Sequence, residues 1–254
     1  MTFHPDSVPD LTGKVYIVTG GTSGIGYNTV ACLAQHGAHI YLCARSSAKG
    51  SDAVTGIKTL YPQARITVLE MDHLSLASVA PAAKFFLSRE IRNGKQTTSP
   101  TGSSPLTSYP LCSALQTLPP GSVRIVNLTS SGHYSTPKDG INFADTSLPN
   151  AGGVMCYGQS KLTNILHTKT LNKSYGPGSP SAKAGEGEIW TAAVHPGLVD
   201  SQLAAHAEIP KAMMAVFKRI AEKGWQSKLA KDMGLADKLE EWTREEMKNG
   251  GWID

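Results

Sequence analysis

Hydrophobic and polar positions change period repeatedly along the first ninety residues. Val15-Tyr16-Ile17-Val18 is a β-branched run that stops at glycine, and from Ile25 the apolar positions recur at helical spacing through Ala34. Gly37 closes that helix, and 38–44 is a second apolar run of strand type. The pattern then predicts a helix over 49–60, a strand over 65–70 and a helix over 75–87. Residues 92–109 break the rhythm. They are rich in Gly, Ser, Thr and Pro with almost no apolar content, which predicts a surface loop that forms no strand. Residues 122–128 read as a clear strand. A long polar stretch follows, then a helix over 157–171, a Gly/Pro/Ser-rich loop over 175–188 and a strand over 190–194. From about 202 the pattern is helical. Leu229, Met233, Leu235, Leu239 and Trp242 are candidate core positions of an amphipathic terminal stretch.

Strands alternating with helices predict an α/β chain with a doubly wound parallel sheet. The 254 residues, 40% of them hydrophobic, suit one domain over 1–254 with a helical C-terminal segment.

Charge narrows the partners. A net charge of +4 with scattered basic residues leaves no nucleic-acid footprint. No apolar run reaches the roughly 18–20 residues of a membrane span. The polar start, with Pro5 and Pro9, resembles neither a secretory signal nor an anchor. The four cysteines lack Cys-x-x-Cys spacing and fit reduced thiols in a cytoplasmic protein, and the eight histidines form no metal-ligand pattern.

Candidate chemistry begins at the turn Gly20-Gly21-Thr22-Ser23-Gly24-Ile25-Gly26, between the first strand and the first helix. Glycine there lets the backbone approach a pyrophosphate, and the uncapped N–H groups of the helix face the anion. Gly20 serves the turn, Gly24 the close approach and Gly26 the helix–strand contact, with Ser23 and Ile25 between them. The glycines alone would equally suit an ordinary βα turn. At the end of the second strand, Ala44 stands where an acidic residue would bind ribose hydroxyls, and Arg45 follows. That favours NADP over NAD, unless Arg45 is simply a solvated surface residue.

Tyr157 and Lys161 lie four apart, one turn apart on one face of a helix. An ammonium beside a phenol favours the phenolate, so Lys161 would draw the Tyr157 pKa from about 10 towards working pH. Tyr157 could then exchange a proton with a substrate oxygen. As a bare pair they fit better a packed Tyr beside a solvated Lys. Thr129, Ser130 and Ser131, at the end of a strand, supply a hydroxyl that could hold the same oxygen.

Taken in order, Thr-Gly-x-x-x-Gly-Ile-Gly, the strand-end serines, Tyr-x-x-x-Lys and Pro196-Gly197-Leu198-Val199-Asp200-Ser201 resemble the short-chain dehydrogenase/reductase family. Val-Asn-Leu-Thr-Ser-Ser-Gly-His resembles its retinol-dehydrogenase-like members, and that selects Ser130 among the three hydroxyls. The resemblance implies a Rossmann-like fold and an NADP-dependent oxidoreductase. Hydride would pass between nicotinamide and a small-molecule carbonyl or alcohol, through Ser130, Tyr157 and Lys161. It further implies that Asp72 contacts adenine, a place where Asp72 also suits a helix N-cap. Lys161 would reach the nicotinamide ribose, and Val199 with Ser201 the carboxamide. It leaves room for a homo-oligomer. The family's strand four with its Asn-Asn-Ala-Gly is absent from this sequence, where the polar stretch 92–109 stands instead, and 106–118 resembles only the end of the long helix that follows it in the family. The helix-borne catalytic Asn is absent too, and no segment matches the family's last strand before the terminal helix, so the resemblance implies a sheet that lacks strand four and the last strand. A degenerate, non-catalytic dinucleotide-binding protein and a scaffold with the same core are the alternatives.

Overall fold

The computed structural model describes residues 4–90, 97–101, 119–197, 199 and 226–251. Its framework is six parallel strands in the order β3-β2-β1-β4-β5-β6. These are β1 (Val15–Val18), β2 (His39–Ala44), β3 (Arg65–Glu70), β4 (Thr97–Thr101), β5 (Val123–Leu128) and β6 (Ile189–Val194). The first crossovers are helices α1 (Gly24–Gln35), α2 (Ser47–Leu60) and α3 (Leu76–Glu90). Then come α4 (Gly153–Tyr175), a short α5 (Pro180–Ala184) and the terminal α6 (Met233–Asn249).

Periodicity explains which face each element buries. On one side of the sheet Val18, Ile40 and Leu42 meet Val30 and Ala34 of α1 and Ala53 and Ile57 of α2. On the other, Val15, Tyr41, Cys43 and Leu69 meet Val79, Ala82 and Phe86 of α3. β2 is buried on both faces, which is why 38–44 reads as one apolar run rather than an alternation. Leu171 of α4 covers Val123, Ile125 and Ile189, and Leu162, Ile165 and Leu166 pack against Ala236 and Leu239 of α6. Each fully buried Leu or Ile is worth about 1.5–3 kcal/mol relative to an exposed one.

The expected vacancy at strand four is filled. Thr97-Thr98-Ser99-Pro100-Thr101 forms β4, paired with β1 on one side and with β5, at Thr101 opposite Val126, on the other. The segment 92–109 was expected to form no strand, and that expectation is overturned. A strand here is demanded by its neighbours. Without it the inner edges of β1 and β5 would bury unpaired N–H and C=O groups, and extended backbone can pair with them whatever the hydrophobicity of its side chains. Threonine is a good β former, so the polar composition hid a strand that backbone hydrogen bonding requires. The cost is visible in the register shift between Val15 and Ile17. The described sheet ends at β6, and most of the stretch between it and the terminal helix, where a last strand was not expected, lies outside the described residues. The helix end at 106–118 and the start of the helical stretch at 202 lie outside the described residues.

Two smaller corrections concern stretches read as loop. Ser179 accepts the Ala182 N–H at 3.2 Å, Pro180 opens α5, and Gly185 closes it in the left-handed conformation. The polar stretch after β5 opens with a 3-10 turn over Ser131–Tyr134.

Candidate cofactor cleft and active site

The crest of the sheet, where the strands end, carries the candidate residues. The order reverses between β1 and β4, and in such sheets ligands bind at the carboxyl ends beside that switch.

On the β1 side, Gly20 and Gly24 have φ of 64° and 54°, a region open to glycine at little cost. A Cβ on Gly26 would stand 2.2 Å from the Gly20 carbonyl oxygen, so only glycine lets α1 seat against the turn. Ser23 is the N-cap of α1, yet its side chain makes no capping hydrogen bond. The donors of Gly24, Ile25 and Gly26 are therefore left for an anion. A cleft of about 710 Å³ opens beside the turn, lined by Gly20, Thr22 and Ser23, by Cys43, Ala44 and Arg45 at the end of β2, by Lys49, Asp52 and Ala53 of α2, and by Met71 and His73. Glycine turn, uncapped helix and paired cations fit a dinucleotide phosphate backbone. Burial pushes the Cys43 thiol up to about 12, so it is an inert wall rather than a nucleophile.

Asp72 follows β3 as expected but is not among the cleft-lining residues. Its carboxylate accepts the Leu74 N–H at 3.0 Å, closing a local turn, so it does not cap the following helix, which starts at Leu76. Three groups on this side were missed. Lys49 lies in the first turn of α2, whose extended N-cap Ser46 separates it from Arg45 at the end of β2. His73 faces the cleft with a pKa lowered by burial. Glu70, at the end of β3, accepts from the Ser47 N–H at 3.1 Å and from the Ser47 hydroxyl, placing a carboxylate at the start of α2.

On the β5 side, α4 begins at Gly153, so Tyr157 lies in its second turn and Lys161 in its third. The Lys161 Nζ is 5.3 Å from the centre of the Tyr157 ring and donates to the Leu128 carbonyl at 3.3 Å. Burial lowers the Lys161 pKa. Ser130 caps the 3-10 turn, its hydroxyl oxygen accepting the Gly132 N–H at 3.1 Å. Gly132 is the meeting point. A Cβ there would lie 2.7 Å from Cε1 of Tyr157 and 3.5 Å from Oγ of Ser130, so ring and hydroxyl border the same bare backbone. The rival hydroxyl of Thr129 donates to the Lys161 carbonyl at 3.0 Å, a structural bond.

His133 was seen only as part of a motif. It is fully buried, and its Nε2 accepts the Ser227 N–H at 3.2 Å. Nδ1 therefore carries the proton and donates to the Ser130 carbonyl at 2.6 Å, fixing the backbone of that serine. Beyond β6, the His195 Nδ1 accepts the Gly197 N–H at 3.2 Å. Val199 is 40% exposed, and Ser201 lies outside the described residues. Among the described residues no cluster of His, Cys, Asp or Glu could hold a metal ion, and no helix is long and apolar enough to cross a membrane.

Comparison with known proteins agrees with this geometry. The short chain dehydrogenase family model matches residues 14–89, from β1 through most of α3. A short-chain dehydrogenase/reductase of Aspergillus calidoustus, drtF, is 38% identical over 312 residues, covering 98% of each chain. This chain has 254 residues, so that relative carries internal stretches with no counterpart here. Mouse retinol dehydrogenase 11 is 32% identical over 86% of this chain and 73% of its own length. A short-chain dehydrogenase of Shigella flexneri solved with NADP shares the fold, with a TM-score of 0.58 at 14% identity over 78% of this chain and 83% of that one. On these similarities the chain belongs to the short-chain dehydrogenase/reductase family of oxidoreductases, among its retinol-dehydrogenase-like members.

Proposed function

We propose that this chain is an NADP(H)-dependent oxidoreductase acting on a small-molecule carbonyl or alcohol. The observation that carries the reading is the convergence at Gly132. The Tyr157 ring and the Ser130 hydroxyl share that backbone, with the Lys161 ammonium one helical turn away. Ser130 would hold the substrate oxygen, Tyr157 would give or take its proton, and Lys161 would favour the phenolate of Tyr157. A bound nicotinamide would supply the hydride, and the chain would supply orientation and the proton. The turn 20–26 would hold the pyrophosphate at the α1 N-terminus, and Lys161 with Val199 and Ser201 the nicotinamide end. Arg45 and Lys49 would face the adenosine 2′-phosphate. The free thiols Cys32, Cys43 and Cys156 suit a reducing compartment such as the cytoplasm.

One observation favours a non-catalytic dinucleotide binder instead, namely the internal stretches of the Aspergillus relative that this chain lacks. Titration with NADPH and NADH, followed by carbonyl reduction with wild type and Tyr157→Phe, separates the readings. Tighter NADPH binding is expected. Turnover in Tyr157→Phe should fall by at least about 10²-fold with binding kept, the scale of a lost general acid–base. Failure to bind NADPH, or undiminished turnover in Tyr157→Phe, overturns the proposal.

A further inference from the structure

Four residues of α4, Tyr157, Lys161, Asn164 and Thr168, are spaced four, three and four apart and so share one helical face. Three of them bind the end of β5. The Asn127 Nδ2 donates to the Thr168 hydroxyl at 2.9 Å, and the Thr129 hydroxyl donates to the Lys161 carbonyl at 3.0 Å. Between these bonds lies the Leu128 carbonyl, which accepts two donors: the Asn164 Nδ2 at 2.9 Å and the Lys161 Nζ at 3.3 Å. Asn164 is only 6% exposed. A buried amide on a helix interior is costly unless its bonds are made, and asparagine is a poor helix former. Strand and helix are already tied together on both sides of it, so its contribution falls on the one carbonyl that Lys161 also uses.

We propose that Asn164 is a positioning residue for Lys161: it fixes the Leu128 carbonyl that anchors the lysine ammonium one turn from Tyr157. The inference deepens the oxidoreductase reading above and rests on it for its kinetic consequence only. Its structural half concerns a lysine that can be followed without cofactor or substrate.

The test uses the full chain, with Asn164→Leu and Asn164→Ala as the perturbations and Thr168→Val as the control that cuts the neighbouring bond to Asn127. Trace acetylation by acetic anhydride in cofactor-free protein, read by mass spectrometry, compares Lys161 with the exposed Lys58 and Lys183. Lys161 should react about three- to tenfold faster in either Asn164 variant than in wild type, the change expected for one ordinary hydrogen bond. Thr168→Val should leave it unchanged. In steady-state NADPH oxidation, kcat should fall about tenfold in the Asn164 variants while KM for NADPH stays within about threefold, a loss confined to the chemical step. Thr168→Val should lower thermal stability and keep kcat within about twofold. Unchanged or slower Lys161 labelling in a folded Asn164 variant overturns the proposal, as does an equal change in Thr168→Val. If neither Asn164 variant folds, Asn164 belongs to the core alone and the proposal is overturned. If wild type reduces no carbonyl with NADPH, the oxidoreductase reading falls, and the labelling result still decides the role of Asn164.

Discussion

Gly132→Ala isolates the position of Tyr157 from everything else in the site. The added Cβ would stand 2.7 Å from Cε1 and 2.9 Å from Cδ1 of the Tyr157 ring. Ordinary carbon–carbon contact is about 3.5–4.0 Å, so the ring must retreat by about 1 Å. The same Cβ would be 3.5 Å from Oγ of Ser130, an acceptable contact, so the serine keeps its place. Gly132 is not among the glycines with positive φ, so alanine meets no backbone strain. The perturbation therefore moves the candidate acid–base relative to the candidate oxygen holder and leaves the cofactor cleft untouched. A misplacement of about 1 Å can cost up to about 10²-fold in rate, or roughly 2.7 kcal/mol of barrier. We expect kcat for NADPH-dependent carbonyl reduction to fall about 10- to 100-fold. The NADPH dissociation constant, read by nicotinamide fluorescence, should stay within about threefold. A folded Gly132→Ala protein with kcat within about twofold of wild type would show that the Tyr157–Gly132 contact does not set the reacting geometry.

Arg45→Asp should weaken NADPH by at least about tenfold relative to NADH, because a charge-assisted phosphate contact becomes a repulsion; unchanged relative affinities would assign Arg45 to the solvated surface. Acid should destabilise the fold earlier than its carboxylates require. Burial lowers the pKa of His133 and takes His167 to about 4, against an unfolded value near 6.5. Both contribute stability that is full above about pH 6.5 and is lost as pH falls towards the folded value, because the unfolded chain binds the proton first. For His167 alone the loss between pH 6.5 and 5 is on the order of 2 kcal/mol, measurable as a lower urea midpoint at pH 5 than at pH 7.5. Equal midpoints would refute it.

What could be read in the sequence was what local chemistry dictates. Glycine at 20, 24 and 26 is forced by positive φ and by a backbone contact with no room for Cβ, so the turn announces itself. Tyr157 and Lys161 share a face by helical arithmetic, and their side chains do lie together. Other features depend on long-range partners. Asp72 sits at the expected strand end, yet its carboxylate is taken up by the Leu74 N–H, a preference for the nearest donor that no spacing rule displays. Glu70 reaches the start of α2 only because Ala44 and Glu70 stand side by side across the β2–β3 register. His133 gains its tautomer from Ser227, ninety-four residues away.

β4 shows the same limit at the scale of the fold and says most about how the site is assembled. Nothing in Thr-Thr-Ser-Pro-Thr resembles a central strand by hydrophobicity, and proline is normally kept to sheet edges because it has no N–H to donate. Here Pro100 stands opposite Ile17 in the middle of the sheet. Hydrophobic patterning reports which side chains must leave water, whereas β4 answers to the backbones of β1 and β5. It also lies between the half of the sheet that carries the glycine turn, Arg45 and Lys49 and the half that carries Ser130, Tyr157 and Lys161. A dinucleotide held by both halves would lie across the end of this polar, proline-bearing strand. On the proposed function, the cofactor would then do more than bring a hydride. By binding only the folded arrangement it would hold the two halves in register, and this coupling would follow from mass action without any added contact within the chain.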